Sequence, residues 1–371
     1  MALNRIFTPA ILVLILLNAC TTGASLPRLI EPPENYDYST LPGSIAYLSL
    51  ECGDSFCTNL GMMQPDFSAN QSLTVQTSGM VSDITWSPDG RYIAYSIYTM
   101  GATAAFTQMW LYDLQDHTSS LLTLNTIDTP YSISWSPDNR FLLIATKDDE
   151  LSTWSLIVLD VESREELVMF EDSAEFKDVS AAWSPAGDWI VFSASDTEGD
   201  TQLWSVATDG SSLTALTSED AFASLKPSWK PDGSSLAYFR KDGQGHVELW
   251  TLEPTGEDAK KLASLGSDEI LDKPVWSPDG RYLCVIHGNK EATEVLLIDL
   301  STEKRIRLDE VEGKYSIASW SPDSGALIFM ENRGSLDHWL NMFVFNDGQP
   351  FIVRAQVDFN YPVWSPVVYT P

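Results

Sequence analysis

The sequence predicts an all-β protein, a seven-bladed β-propeller of four-stranded antiparallel blades, closed by its N- and C-terminal strands. Three observations predict it. A Trp-x-Pro turn recurs seven times, at Trp86, Trp135, Trp183, Trp229, Trp276, Trp320 and Trp364. Successive tryptophans stand 49, 48, 46, 47, 44 and 44 residues apart, the period of a propeller blade. Residues 44–371 divided by seven leave about 47 residues per unit, enough for four short strands and their turns.

The chain opens on a targeting segment. Arg5 precedes an apolar run from Ala10 to Leu17, the charged and apolar regions of a secretory signal. The run is too short to span a bilayer as a helix, which takes about 20 apolar residues. It ends in Leu17-Asn18-Ala19-Cys20, which resembles the lipobox of bacterial lipoproteins. That resemblance implies a signal peptide over residues 1–19 and lipidation of Cys20, with export and a lipid-held membrane location and no spanning helix. Pro27, Pro32, Pro33 and Pro42 then predict an extended, unpacked tether over residues 20–43, with the propeller from 44 to 371.

The first blade lacks its own Trp-Ser-Pro turn. Gly43-Ser44-Ile45-Ala46-Tyr47-Leu48 nevertheless matches Gly90-Arg91-Tyr92-Ile93-Ala94-Tyr95. The last copy, Trp364-Ser365-Pro366, lacks the Asp-Gly that completes most other copies. The economical solution pairs strand 44–50 with the strand around Trp364, which also removes two exposed sheet edges. A six-bladed ring with an extra N-terminal hairpin is the alternative. Cys52 and Cys57 flank a predicted turn and read as either a disulfide across a hairpin tip or two free thiols. Cys284, in an apolar strand pattern, reads as an inert buried thiol.

Each complete turn reads Ser-Pro-Asp-Gly or a close variant. Ser starts a type I turn, Pro pre-sets φ, Asp follows, and Gly takes the left-handed conformation. Asn139 replaces Gly, and Asn tolerates that region. A β-rich run follows each turn, as in Tyr92-Ile93-Ala94-Tyr95, and a third strand often carries a second tryptophan: Trp110, Trp154, Trp204, Trp250. These and the seven turn tryptophans read as wedges between sheets. Trp339 falls outside the pattern and reads as an exposed contact in a long connection.

The Trp-Ser-Pro-Asp-Gly turn, with Leu203-Trp204 leading to Thr208-Asp209-Gly210 and Leu216-Thr217, resembles the TolB-type, WD40-like propeller repeat of bacterial periplasmic proteins. Propellers of prolyl oligopeptidase and dipeptidyl peptidase relatives use the same repeat. The likeness covers residues 44–371. It implies the fold, and for TolB-like members it implies binding of a protein or peptide partner. The fold alone does not fix a function.

Composition excludes some partners. Lys and Arg number 22 against 52 Asp and Glu, a net charge of −30, whereas a nucleic-acid binder needs a basic face. No Gly-x-Ser-x-Gly elbow, His-Glu-x-x-His or phosphate-binding glycine loop is present. His117, His246, His287 and His338 are isolated in sequence and read as surface residues. Asp196, Glu198 and Asp200 alternate as calcium ligands do but lack the later bidentate Glu, so calcium is a weak match and no other cofactor is expected.

The residues three before each turn tryptophan are Asp83, Ser132, Ser180, Lys226, Lys273, Ile317 and Tyr361. They are mostly polar, and they are expected to ring the channel mouth as the binding site. The residues two before are apolar and are expected to pack into the blades. The expected protein is a monomeric, non-catalytic, lipid-anchored binding or scaffold protein of the cell envelope. The competing expectation is a propeller enzyme acting on a glycan or peptide at the same mouth. Clustered His and carboxylates with raised pKa would mark the enzyme.

Overall fold

A computed structural model describes residues 36–49, 58–74, 80–100, 105–122, 129–148, 153–172, 180–195, 200–218, 222–266, 269–270, 272–289, 292–308, 314–334, 337–345 and 350–367. The signal segment, Cys20, Cys52, Cys57, Asp196 and Glu198 lie outside them. Among the described residues the strands form seven antiparallel sheets, so the ring has seven blades and the six-bladed alternative falls.

Each blade runs from an inner strand outward. Blade 2 comprises Met80–Trp86, Tyr92–Met100, Ala105–Asp113 and Thr118–Leu122. Blades 3, 4, 5 and 7 repeat this order from inner strands Thr129–Trp135, Ala181–Trp183, Phe222–Trp229 and Lys314–Trp320. Blade 6 divides its inner strand into Glu269–Ile270 and Val275–Trp276, both paired with Tyr282–Gly288. Blade 1 is the closure. The C-terminal strand Phe359–Trp364 pairs with Ile45–Ser49, with Ile45 opposite Trp364, ahead of Asn59–Met63 and Gln71–Ser72.

The core is layered between sheets rather than centred. Buried apolar residues gather at each blade–blade junction, and each layer holds one turn tryptophan. Trp86 Nε1 donates to the Val363 carbonyl at 3.1 Å, Trp135 to Thr85 at 3.3 Å, Trp276 to Ser228 at 3.2 Å and Trp320 to Val275 at 3.3 Å. Every acceptor is the residue just before the tryptophan of the preceding blade. Trp364 donates instead to Pro42 at 2.8 Å. Trp183 and Trp229 keep buried indole N–H groups with no partner.

The turns have the predicted conformation. Gly90, Asn139, Gly187, Gly233, Gly280 and Ser324 all have φ between 62° and 77°. Ser87 Oγ donates to Asp89 at 2.6 Å and accepts from the Tyr92 N–H at 2.8 Å, stapling the turn to its strand. Where the left-handed residue has a side chain, that side chain ties two blades together: Asn139 Oδ1 accepts from the Asp89 N–H, and Ser324 Oγ from the Asp279 N–H.

Three expectations change. Residues 36–43 are packed: Tyr36 meets Phe351 edge-on at 4.9 Å, and Leu41 is buried at the junction of blades 7 and 1. Trp339 lies in a strand, Asp337–Val344, rather than in a connection. The Arg333 and Arg354 guanidiniums lie over its ring, 5.1 and 5.7 Å from its centre, and both pair with the fully buried Glu331. His287 and His338 are buried, not superficial. Cys284 is buried as expected, and burial pushes its thiol pKa well up.

Replacing Trp135 by Phe strands the Thr85 carbonyl, whereas Trp183→Phe removes an N–H that has no acceptor. Trp135→Phe should therefore lower the unfolding free energy by about 1–2 kcal/mol more than Trp183→Phe. Urea denaturation of the two variants measures the difference, and equal losses would show that the indole bond adds nothing.

Candidate functional site

A strand with one extra residue kinks and re-aims its side chains. Such an irregularity recurs in the inner strands just before the tryptophans. The register slips between Val81 and Ile84, Pro130 and Ser132, Leu225 and Ser228, and Ser316 and Ala318. The closing strand carries one too, opposite Ala46 and Leu48. Lys226, Ile317 and Tyr361 sit there with φ of 54°, 52° and 53°. A left-handed conformation is costly for a side chain with a Cβ, and most of all for β-branched Ile. Pro227 and Pro362 fit the same place because proline has no N–H to give the ladder.

The bulges deliver part of the predicted ring to one place. Asp83, Ser132, Lys273, Ile317 and Tyr361 line a single cavity of about 720 Å³ at the channel, contributed by blades 2, 3, 6, 7 and 1. Ser180 and Lys226, on blades 4 and 5, are not among its lining residues. Ser180 instead faces Ser193, whose N–H it accepts at 3.0 Å. Ile84 and Ile133, expected to point only into the blades, also line the cavity.

Six polar residues join that were not anticipated: Thr85, Asp272, Ser316, Asn332, His338 and Asn360. Asp272 and Asn360 each lie one position before a ring residue or Tyr361, so the three-before rule missed them by one. Asn332 and His338 face each other across a second-to-third strand hairpin, and no repeat motif marks that position.

The electrostatics are uneven. Burial pushes Asp83 up to about 6, opposed by its hydrogen bond with Ser96. Burial also raises Tyr361, and the Asp83 and Asp272 charges raise it further. Asp272 Oδ1 accepts from the Lys273 N–H at 2.7 Å. His338 is 6% exposed, its Nδ1 lies 2.7 Å from Asn332 Oδ1, and its Nε2 is buried with no partner. Among the described residues no three His, Cys, Asp or Glu side chains gather as a metal ion needs. Asp200, the one described member of the calcium candidate, is exposed.

The sequence model of the TolB β-propeller domain matches residues 41–322. TolB from Acinetobacter baumannii superposes with a TM-score of 0.53 at 17% identity, covering 87% of this chain and 66% of that one. This chain thus spans just under two thirds of that TolB. Oligogalacturonate lyase from Vibrio parahaemolyticus superposes at 0.62 and 15% identity, covering 87% and 90%. The propeller domain of the Trilobed protease from Pyrococcus furiosus superposes at 0.61 and 12%, covering 84% and 95%. That domain is described as having an open velcro topology, whereas here the terminal strands pair. At these identities the likeness is one of fold.

Asp83 sets a pH dependence of stability. An unfolded aspartate titrates near 4, and in the cavity Asp83 titrates at about 6. The folded state binds this proton more tightly, so the buried charge opposes folding above pH 6 and the penalty vanishes below pH 4. Asp83→Asn should stabilise the protein at pH 7.5 by about 1–3 kcal/mol and by nothing near pH 4. Denaturant titrations at the two pH values test this; the same effect at both would disprove it.

Proposed function

The chain belongs to the TolB β-propeller domain family, and from that membership we propose that it is a non-catalytic, exported binding protein. It holds a protein or peptide partner at its channel mouth. Lipidation of Cys20 would keep it at a membrane of the cell envelope, as a monomer. Asp83, Ser132, Lys273 and Tyr361 form the contact surface, with Asp272, Asn332, His338 and Asn360 beside them. The observation that carries this reading is the cavity: one concave recess at the axis with polar groups set in an apolar wall, built from five blades. Loops and bulges on a rigid scaffold are where binding residues concentrate. A recess of this size accepts a few side chains of an extended segment.

One observation favours a second reading. Asp83, with its raised pKa, shares the cavity with His338, whose Nε2 has no partner, and such pairs also mark acid–base sites. In that case the mouth would act on a glycan or peptide, and bound material would be recovered cleaved.

Capture from host membranes by the full, tethered chain tests the first reading. Tyr361→Ala combined with Ser132→Ala should reduce partner recovery by about tenfold, equivalent to 1.4 kcal/mol, without lowering Tm. Lys226→Ala, outside the cavity, should leave recovery unchanged. Undiminished capture by the double variant would remove the mouth from consideration, and recovery of cleaved material would favour the enzyme.

A further inference from the structure

We propose that the channel mouth recognises a cationic donor group, a lysine ammonium or an arginine guanidinium, with Asp83, Asp272 and His338 Nε2 as its acceptors. The inference rests on the mouth being the binding site. It begins with the histidine. Asn332 Nδ2 donates to Ser316 Oγ at 3.1 Å, which turns its Oδ1 toward the His338 ring. An amide oxygen only accepts, so His338 Nδ1 carries the hydrogen and donates to it at 2.7 Å. Nε2 is then a bare lone pair, buried, without a donor, in the wall of the cavity. Buried acceptors are almost always satisfied, so this one calls for a donor from outside.

The carboxylates call for the same thing. Asp83 has a long hydrogen bond from Ser96 Oγ, 3.5 Å, and Asp272 accepts one backbone N–H. Both charges reach Tyr361, which places them about one space. The titratable groups lining the cavity are Asp83, Asp272, Lys273, His338 and Tyr361. Two carboxylates face one ammonium, inside a chain of net charge −30. An anionic ligand would meet both carboxylates and a lone pair. A cation would meet acceptors in the lining rather than like charge alone, while Ile84, Ile133 and Ile317 offer apolar wall for its methylene stem, as such stems prefer. The three acceptors come from blades 2, 6 and 7, so only ring closure assembles them.

Acetyl-Gly-Arg-Gly-amide, its citrulline counterpart and acetyl-Gly-Glu-Gly-amide, titrated into the full chain at pH 7.5, provide the test. The arginine peptide should bind about tenfold more tightly than either of the others, since charge-assisted bonds are roughly twice as strong as neutral ones. Asp83→Asn should weaken it by about tenfold as well, and this variant is expected to be at least as stable as the parent. Affinity should fall from pH 7.5 to pH 5 as Asp83 takes up its proton, and Asp83→Asn should flatten that fall. Equal affinity for the arginine and citrulline peptides, or preference for the glutamate peptide, overturns the proposal. So does binding of manganese alone that Asp83→Asn abolishes while the arginine peptide fails. If the arginine peptide fails but Tyr361→Ala still loses the partner, the mouth stands and the cation falls. If the peptide binds but Asp83→Asn captures the partner normally, the cation pocket stands and the partner binds elsewhere.

Discussion

Much of this molecule depends on the contact between a turn tryptophan and the blade before it. A twisted four-stranded sheet exposes an inner edge whose alternate carbonyls face away from its single neighbour. The indole supplies a large flat wedge and an N–H in one side chain. In four junctions that N–H reaches the carbonyl just before the neighbouring tryptophan, so each wedge holds the backbone that positions the next. At the closure, Trp364 reaches Pro42 instead, which draws residues 36–43 onto the ring. A segment that composition marks as tether is thereby folded in.

A second set of repeated contacts surrounds the wedge. Arg91, Arg140 and Arg281 follow their turns and pair with Asp113, Asp160 and Asp299 at the end of the third strand. Each guanidinium also lies 4.7–4.8 Å over the adjacent aromatic ring. Tyr92 and Tyr282 then stack on Trp135 and Trp320 of the following blades. Each pair joins a largely exposed arginine to a mostly buried aspartate. Their role is orientation: they set the ring against which the next tryptophan lies.

The same architecture explains why the mouth is polar and lopsided. The inner strand needs regular pairing beside the tryptophan and irregular pairing before it. The bulge turns Lys226, Ile317 and Tyr361 into the left-handed region, a strain that surrounding sheets bear. The result is a rim whose members need not satisfy the ladder. Asp83 and His338 carry the consequence, one as a charge held in a poorly solvated recess and the other as an acceptor with nothing to accept.

The period of the tryptophans and the Ser-Pro-Asp-Gly chemistry made the turn conformations and the strand order legible in the sequence, because both are local rules repeated along the chain, whereas seven blades rather than six was decided by the pairing of Ile45 with Trp364. The residue three before each tryptophan was legible as a rim position for the same reason, and five of the seven line one cavity. Repetition could not reveal which blades face that cavity, so Ser180 and Lys226 were grouped with residues they do not join. Nor could it find His338 or Asn332, which stand at a hairpin of blade 7 with no counterpart in the motif. Asp83 and His338 are 255 positions apart, and whether an aspartate keeps its charge or an imidazole finds a donor depends on what surrounds it in space. Closing the ring, by setting residue 45 against residue 364, is what decided that.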